Sequence, residues 1–227
     1  MQPDPVALLR RVVLFGALGD EMLAGLAAHL RRRTFKKDTM LFHEDQAGDA
    51  LYIVESGRVR IFRSAESGEE LTLEVLGPGD VFGEMALLDG LPRSASAATL
   101  EDSVLDTLSR DEFQRHLTAS PEFASALLAY LSQRVRHVMD YAETLAFLDV
   151  YGRVARVLLD LADRYGVKED GMLINVDLTQ AELARMVGAT RERVNRALSA
   201  FRSQGILQVR GKKIVILDHK RLSGRIY

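Results

Sequence analysis

Residues 178–198 constrain this chain more tightly than any other stretch. Thr179, followed three residues later by Glu182, is a capping box: each side chain can bond a backbone N–H at a helix start. Leu183, Met186 and Val187 then recur at helical spacing. Gly188 breaks that helix. Thr190 is suited to cap a second one, in which Val194, Ala197, Leu198 and Phe201 share a face and Gly205 is a natural stop. Helix, glycine turn, helix is the arrangement that places its second helix in the major groove of DNA. Arg191, Glu192, Asn195 and Arg196 lie on the outer face of that second helix. An arginine fork matches O6 and N7 of guanine, and a glutamate accepts from N4 of cytosine. With the caps Thr179 and Thr190 they form the candidate DNA-contacting set. The plainer alternative is a solvated charged face, but two caps, a turn glycine and the charge placement agree on the first reading.

Charge supports it. The net charge of −2 hides an asymmetry: residues 1–149 carry 15 Lys and Arg against 24 Asp and Glu, while residues 150–227 carry 15 against 8. A basic last third on an acidic body is the footprint of a nucleic-acid-binding domain joined to something else. No apolar run reaches membrane-spanning length, and the first residues lack a charged-then-apolar leader pattern, so a cytoplasmic protein without membrane contact is expected. Without cysteine there is no disulfide, no thiol sensing and no cysteine-held iron–sulfur cluster.

The rest of the chain reads in segments. Residues 6–30 are helical in pattern, with a break near Gly16–Gly19 and Asp20 as the expected N-cap. From about Arg32 to Leu108 the period changes to two. Short strands at 51–54, 59–62, 71–76 and 103–108 are separated by turn signals such as Gly48–Asp49, Ser56–Gly57 and Gly77–Asp80. Many short, evenly spaced strands indicate a β-barrel or jelly roll able to enclose a small ligand. One segment interrupts the pattern: Gly83 is expected to start a short helix, Gly90 to end it, and Arg93–Ser94 to lead into the next strand. Helix-start N–H groups favour an anion, and an arginine beside a hydroxyl suits a phosphate. The alternative is an interrupted barrel strand with a surface arginine.

Ser120, Pro121 and Glu122 open a long helix. Leu128, Leu131, Val135, Val138, Ala142 and Leu145 alternate spacings of three and four. Such a seam suits either the chain's own barrel or the same helix of a second copy. The second is favoured because every core position is apolar. Residues 147–149 read as a hinge. Asp149 then caps a helix over 150–165, with Val154, Val157, Leu158 and Leu161 inward, and a hairpin follows the second DNA helix with a basic tip at 210–212 that can touch phosphates.

Three blocks carry a resemblance: residues 82–95, residues 145–153, and residues 178–196. From about residue 8 onward the chain resembles the cyclic-AMP receptor protein / fumarate-nitrate regulator (Crp/Fnr) family of bacterial transcription factors. The catabolite activator is a standard helix-turn-helix example. The resemblance implies an α+β chain of three parts: a cyclic-nucleotide-binding β-roll over residues 1–119, a dimerisation helix and hinge over 120–148, and a winged helix-turn-helix over 149–227. It implies that Gly83 and Glu84 contact the ribose and phosphate region of cyclic AMP, with Glu84 on the 2′-hydroxyl, and that Arg93 and Ser94 hold the cyclic phosphate. It also places Arg191, Glu192 and Arg196 on base-reading positions for TGTGA-like palindromic half-sites in double-stranded DNA, with RNA polymerase as a further partner of the homodimer. One departure stands out. Cyclic-AMP binders of this family usually place Thr, then Ser or Asn, on the dimer helix against the adenine; here Val138 and Met139 stand there, and neither pairs with a base edge.

That departure motivates a second reading, in which the same DNA-binding regulator answers another nucleotide, such as cyclic GMP or cyclic di-GMP, or acts without ligand. An enzyme is not expected. No motif pairs a nucleophile with a base, and no metal-ligand spacing joins His29, His43, His116, His137 and His219. These five read as scattered, so no metal, haem or iron–sulfur cluster is expected.

Overall fold

The computed structural model describes residues 4–226. Residues 1–3, on which the reading of the N-terminus partly rested, and Tyr227 lie outside the described residues. The chain divides after Val135 into two units.

The first unit opens with α1 (Pro5–Arg11) and α2 (Asp20–Ala27). Asp4 caps α1, its carboxylate accepting from the Val6 N–H at 3.0 Å. The expected cap at Asp20 is corrected. Gly19 is the N-cap of α2, without a side-chain bond, and Asp20 is the first helical residue, its carboxylate turned to Arg10. An acid inside the first turn still favours the helix through the dipole. Eight strands follow: β1 (Arg31–Phe35), β2 (Met40–Phe42), β3 (Ala50–Ser56), β4 (Val59–Ser64), β5 (Glu70–Leu76), β6 (Val81–Phe82), β7 (Ser96–Thr99) and β8 (Ser103–Ser109). A short helix, α3 (Met85–Asp89), separates β6 from β7; α4 (Arg110–Ala119) follows, and α5 (Pro121–Phe147) begins in this unit and runs past Val135 into the next. The strands form two antiparallel sheets, ordered β1-β8-β3-β6 and β2-β7-β4-β5.

Strand periodicity explains how these layers meet. Leu51 through Val54 of β3 are all buried, but alternate residues point to opposite faces. Tyr52 and Val54 join Leu105 and Phe82 of their own sheet and Val59, Leu76 and Ala97 of the other in one core between the sheets. Leu51 and Ile53 face the other way, into a second core with Leu9, Leu23, Phe113 and Phe123 from the helices and Phe15 from the turn between α1 and α2. A strand buried on both faces reads as a continuous apolar run. Ser120 starts α5, its hydroxyl accepting from the Phe123 N–H at 3.1 Å.

In the second unit Asp149 caps α6 (Val150–Tyr165), accepting from Gly152 N–H at 2.8 Å. Val154, Leu158 and Leu161 are buried as expected, whereas Val157 is half-buried. The capping box at Thr179 and Glu182 is formed and starts α7 (Gln180–Val187). Gly188 takes the left-handed conformation at φ 64° that ends the helix. Thr190 accepts from Arg193 N–H and starts α8 (Arg191–Ser203). A four-stranded antiparallel sheet, β11-β12-β10-β9, and the short α9 (His219–Ser223) complete the unit. The sequence pattern predicts the hairpin of β11 (Leu207–Arg210) and β12 (Lys213–Ile216); β9 (Gly166–Glu169) and β10 (Gly171–Ile174) add the other two strands.

Caps set where α7 and α8 begin, at about 1 kcal/mol each. Burial holds them in place, since a fully covered Leu or Phe side chain contributes about 1.5–3 kcal/mol. Phe201, 1% exposed and edge-on to Tyr151, is the largest such side chain on α8. Phe201→Ala is expected to destabilise the chain by about 3–5 kcal/mol, read as a drop in the urea midpoint by circular dichroism; a change under about 1 kcal/mol would show that α8 is held by its caps.

Candidate functional site

Two side-chain clusters bear on function. The first surrounds Arg93. Gly83 does not start the short helix. It sits at φ 83° in the turn after β6, Glu84 is the N-cap, and Met85 is the first helical residue. That positive φ lets the Gly83 carbonyl turn to Arg93 Nη1 at 2.7 Å, while Nη2 donates to the Ala50 carbonyl at 2.7 Å. The guanidinium lies 4.2 Å from the Phe42 ring centroid and 5.8 Å from that of Tyr52. Its nearest carboxylate, Asp49, is 3.6 Å away and almost fully exposed.

Arg93 is therefore a buried cation, not a surface arginine, and its Nε is buried with no hydrogen-bond partner among the described residues. Burial lowers its pKa, though an arginine stays charged at any ordinary pH. A guanidinium out of water and short of one bond is a strong recipient for an anion. A Cβ on Gly83 would come within 2.5 Å of Arg93 Nη1, and one on Gly48 within 3.2 Å of the guanidinium, so both glycines make room for it.

Glu84 is buried beside this group. Burial pushes its carboxyl above the ordinary carboxylate range, opposed by the charge of Arg134 and, less, by Arg93. Arg134 itself donates to Glu74 at 2.6 Å. Ser94 is exposed, its hydroxyl 3.6 Å from Met85 Sδ. Gly83, Glu84 and Arg93 thus converge, with Ser94 at the solvent edge. Phe42, Tyr52, Gly48 and Arg134 belong to the same neighbourhood and escaped the sequence reading; only Gly48 carried a signal, as a turn residue.

The second cluster is the outer face of α8. Arg191, Glu192, Asn195 and Arg196 are all exposed, as are Arg193 and Arg202, which the sequence reading passed over. Asn195 accepts from Gln180 Nε2 at 3.2 Å, which ties α7 to α8. A groove between α8 and the hairpin is lined by Gln180, Arg191, Asn195, Ser199, Arg202 and Lys212. The Thr179 hydroxyl is held in its cap by Glu182 at 2.7 Å, and Thr190 holds the cap of α8.

Comparison with known proteins fits both clusters. The cyclic nucleotide-binding domain model matches residues 32–120 and the Crp-like helix-turn-helix domain model residues 152–225. A CRP-like cAMP-activated global transcriptional regulator of Mycobacterium tuberculosis is 39% identical over 96% of this chain and 98% of its own length. The chain belongs to the Crp/Fnr family of transcription regulators. The cyclic AMP receptor protein of Thermus thermophilus is 37% identical over 86% of this chain and 88% of its own. Among solved structures, the c-di-GMP responsive global regulator CLP of Xanthomonas campestris superposes with a TM-score of 0.76 at 30% identity, over 87% of this chain and 99% of its own.

As a Crp/Fnr regulator the chain has an N-terminal β-rich cyclic nucleotide-binding domain, helices and a C-terminal helix-turn-helix domain. Along α5 the stripe expected to pair two copies is largely uncovered: Leu128, Val135 and Val138 are 66%, 59% and 62% exposed, and Ala142 is also exposed. Leu131 is half-buried against its own unit's core, and Leu145 is half-buried. Val138 and Met139 offer only apolar, exposed side chains. The histidines correct one expectation: His29 and His116 are not scattered but adjacent, with ring centroids 6.0 Å apart.

Glu84 gives a pH test. Its folded pKa is raised, so the folded chain holds this proton more tightly than the unfolded chain. The contribution to stability is greatest at low pH and is lost as pH rises from 4.5 through the raised value. Glu84→Gln is expected to gain thermal stability relative to the unchanged chain as pH is raised from 4.5 towards neutrality. A melting-temperature difference that does not vary with pH would mean the carboxyl is effectively solvated.

Proposed function

We propose that this regulator works as a homodimer, joined along the Leu128–Leu145 stripe of α5, that binds palindromic promoter DNA in response to cyclic AMP. The sensor spans residues 1–119, the dimerisation helix and hinge 120–148, and the DNA-binding domain 149–227. The single observation that carries the ligand assignment is the buried Arg93 guanidinium with its unpartnered Nε, beside Gly83, Glu84 and the hydroxyl of Ser94. Arg93 and Ser94 take the cyclic phosphate, and Glu84 accepts from the ribose 2′-hydroxyl. The names of the Mycobacterium and Thermus relatives favour cyclic AMP.

On DNA, Arg191, Glu192, Asn195 and Arg196 read base edges of TGTGA-like half-sites, while Thr179, Thr190 and the hairpin tip stand near phosphates. Two-fold symmetry sets the half-sites about one DNA turn apart. The ligand acts by binding one arrangement of the dimer better than the other. The regulator works in the cytoplasm with RNA polymerase as its partner at the promoter, and it performs no chemistry of its own. A second reading, a different nucleotide or activity without ligand, is favoured by Val138 and Met139, which give an adenine no hydrogen-bond partner, and by the c-di-GMP responsive neighbour.

Fluorescence anisotropy of a labelled TGTGA palindrome, at fixed salt because phosphate contacts make affinity fall steeply with ionic strength, tests this. Cyclic AMP is expected to tighten binding, and Arg93→Ala to abolish that response while leaving the ligand-free affinity in place. Tight binding indifferent to cyclic AMP would transfer support to the second reading. Arg191→Ala is expected to lose about 1–3 kcal/mol and to relax sequence choice at one base pair; equal weakening on every sequence would make Arg191 a phosphate contact.

A further inference from the structure

In the first unit, outside the residues assigned to the effector, three side chains meet. His29 lies just beyond the end of α2, and Glu112 and His116 stand one turn apart on α4. One ligand atom from each lies within 4.8 Å of the others, and His29 Nε2 is 3.6 Å from Glu112 Oε2. Four bonds of about 2.0–2.1 Å around a tetrahedral zinc put neighbouring ligand atoms roughly 3.3 Å apart. Side-chain rotations of an ångström or so therefore bring this set to coordination distance.

The chemistry of each group fits. His29 Nδ1 is 2.8 Å from the Gly25 carbonyl. A carbonyl only accepts, so Nδ1 donates to it, and Nε2 of the neutral ring is left as an acceptor toward Arg115 Nη2 at 3.1 Å. A histidine ligand anchored through its other nitrogen in this way is the usual outer-shell arrangement of a metal site. His116 Nε2 is buried with no hydrogen-bond partner among the described residues, an acceptor or donor left unused. A cation already sits against the set: Arg115 Nη2 donates to Glu112 and lies 3.1 Å from His29 Nε2. Its side chain is 56% exposed, so it can swing into solvent and yield both atoms to a metal.

We propose that His29, Glu112 and His116 form a site for a divalent transition metal of the zinc class, with Arg115 as the internal cation that the metal displaces. Two imidazoles and one carboxylate select zinc, cobalt or nickel over magnesium or calcium, which prefer oxygen donors. Three protein ligands leave a further position for water. The bound ion ties the end of α2 to α4 and stabilises the folded sensor by mass action. The site is independent of the nucleotide and DNA assignments above.

The test uses full-length, tag-free, chelator-stripped protein titrated with cobalt(II) and then zinc(II). The expected result is a ligand-field spectrum saturating at one cobalt per chain and bleached by zinc, with a melting temperature that rises with zinc and falls back with a chelator. His29→Gln and Glu112→Gln are each expected to weaken cobalt binding by about tenfold or more, and Arg115→Ala to tighten it several-fold. If either ligand variant fails to fold, the Arg115→Ala titration and the chelator-reversible melting shift of the unchanged chain stand as the readouts. An unperturbed aqueous cobalt spectrum overturns the proposal, as does saturable binding that neither ligand variant weakens.

Discussion

The burial of both faces of β3 is the constraint from which the sensor half follows. Leu51 and Ile53 on one face and Tyr52 and Val54 on the other all have to leave water. A single sheet cannot do that, so a second sheet covers one face and the helices α1, α2, α4 and α5 cover the other. Closing the roll brings β2, β3 and β6 together, stacks Tyr52 on Phe82 at 5.0 Å and sets Phe42 tilted against both at 5.6 and 6.0 Å. That aromatic wall is the surface on which Arg93 lies.

An unpaired buried cation is costly, and here the cost is met only in part by two carbonyls, a ring face and an exposed Asp49. Those partners place the guanidinium without saturating it. Its Nε stays buried without a hydrogen-bond partner among the described residues. Glu84 is in a similar position, since its carboxyl is also kept from water with its charge only partly balanced. Buried titratable groups with shifted pKa values concentrate where proteins bind ligands.

The DNA-binding half is built on a different economy. The starts of α7 and α8 are marked by caps, their inner faces are filled by a few buried apolar side chains, and the outer face of α8 is exposed. Asn195 bonds Gln180 across the two helices, so the reading face is positioned by the motif and not by α8 alone. Helix caps and apolar spacing are local properties, and that is why this half could be read residue by residue.

Sequence alone determined the helix starts at Asp149, Thr179 and Thr190, the helix break at Gly188, the change of period that marks the roll, and the placing of Gly83, Glu84 and Arg93 in one short segment that interrupts the strands. Each rests on residues within about ten positions of one another, or on a motif that travels as a block. Tertiary structure decided the rest. It buried Arg93 against Phe42, 51 residues away, and brought Arg134 up to Glu74. It added β9 and β10 to the winged sheet, where Gly171 packs against Ile216 through a conformation that no local pattern announces. It also joined His29 to Glu112 and His116, which reading the histidines by their spacing could not do. Periodicity and caps report each residue's own backbone; which distant side chains share a site depends on how the sheets and helices close over one another.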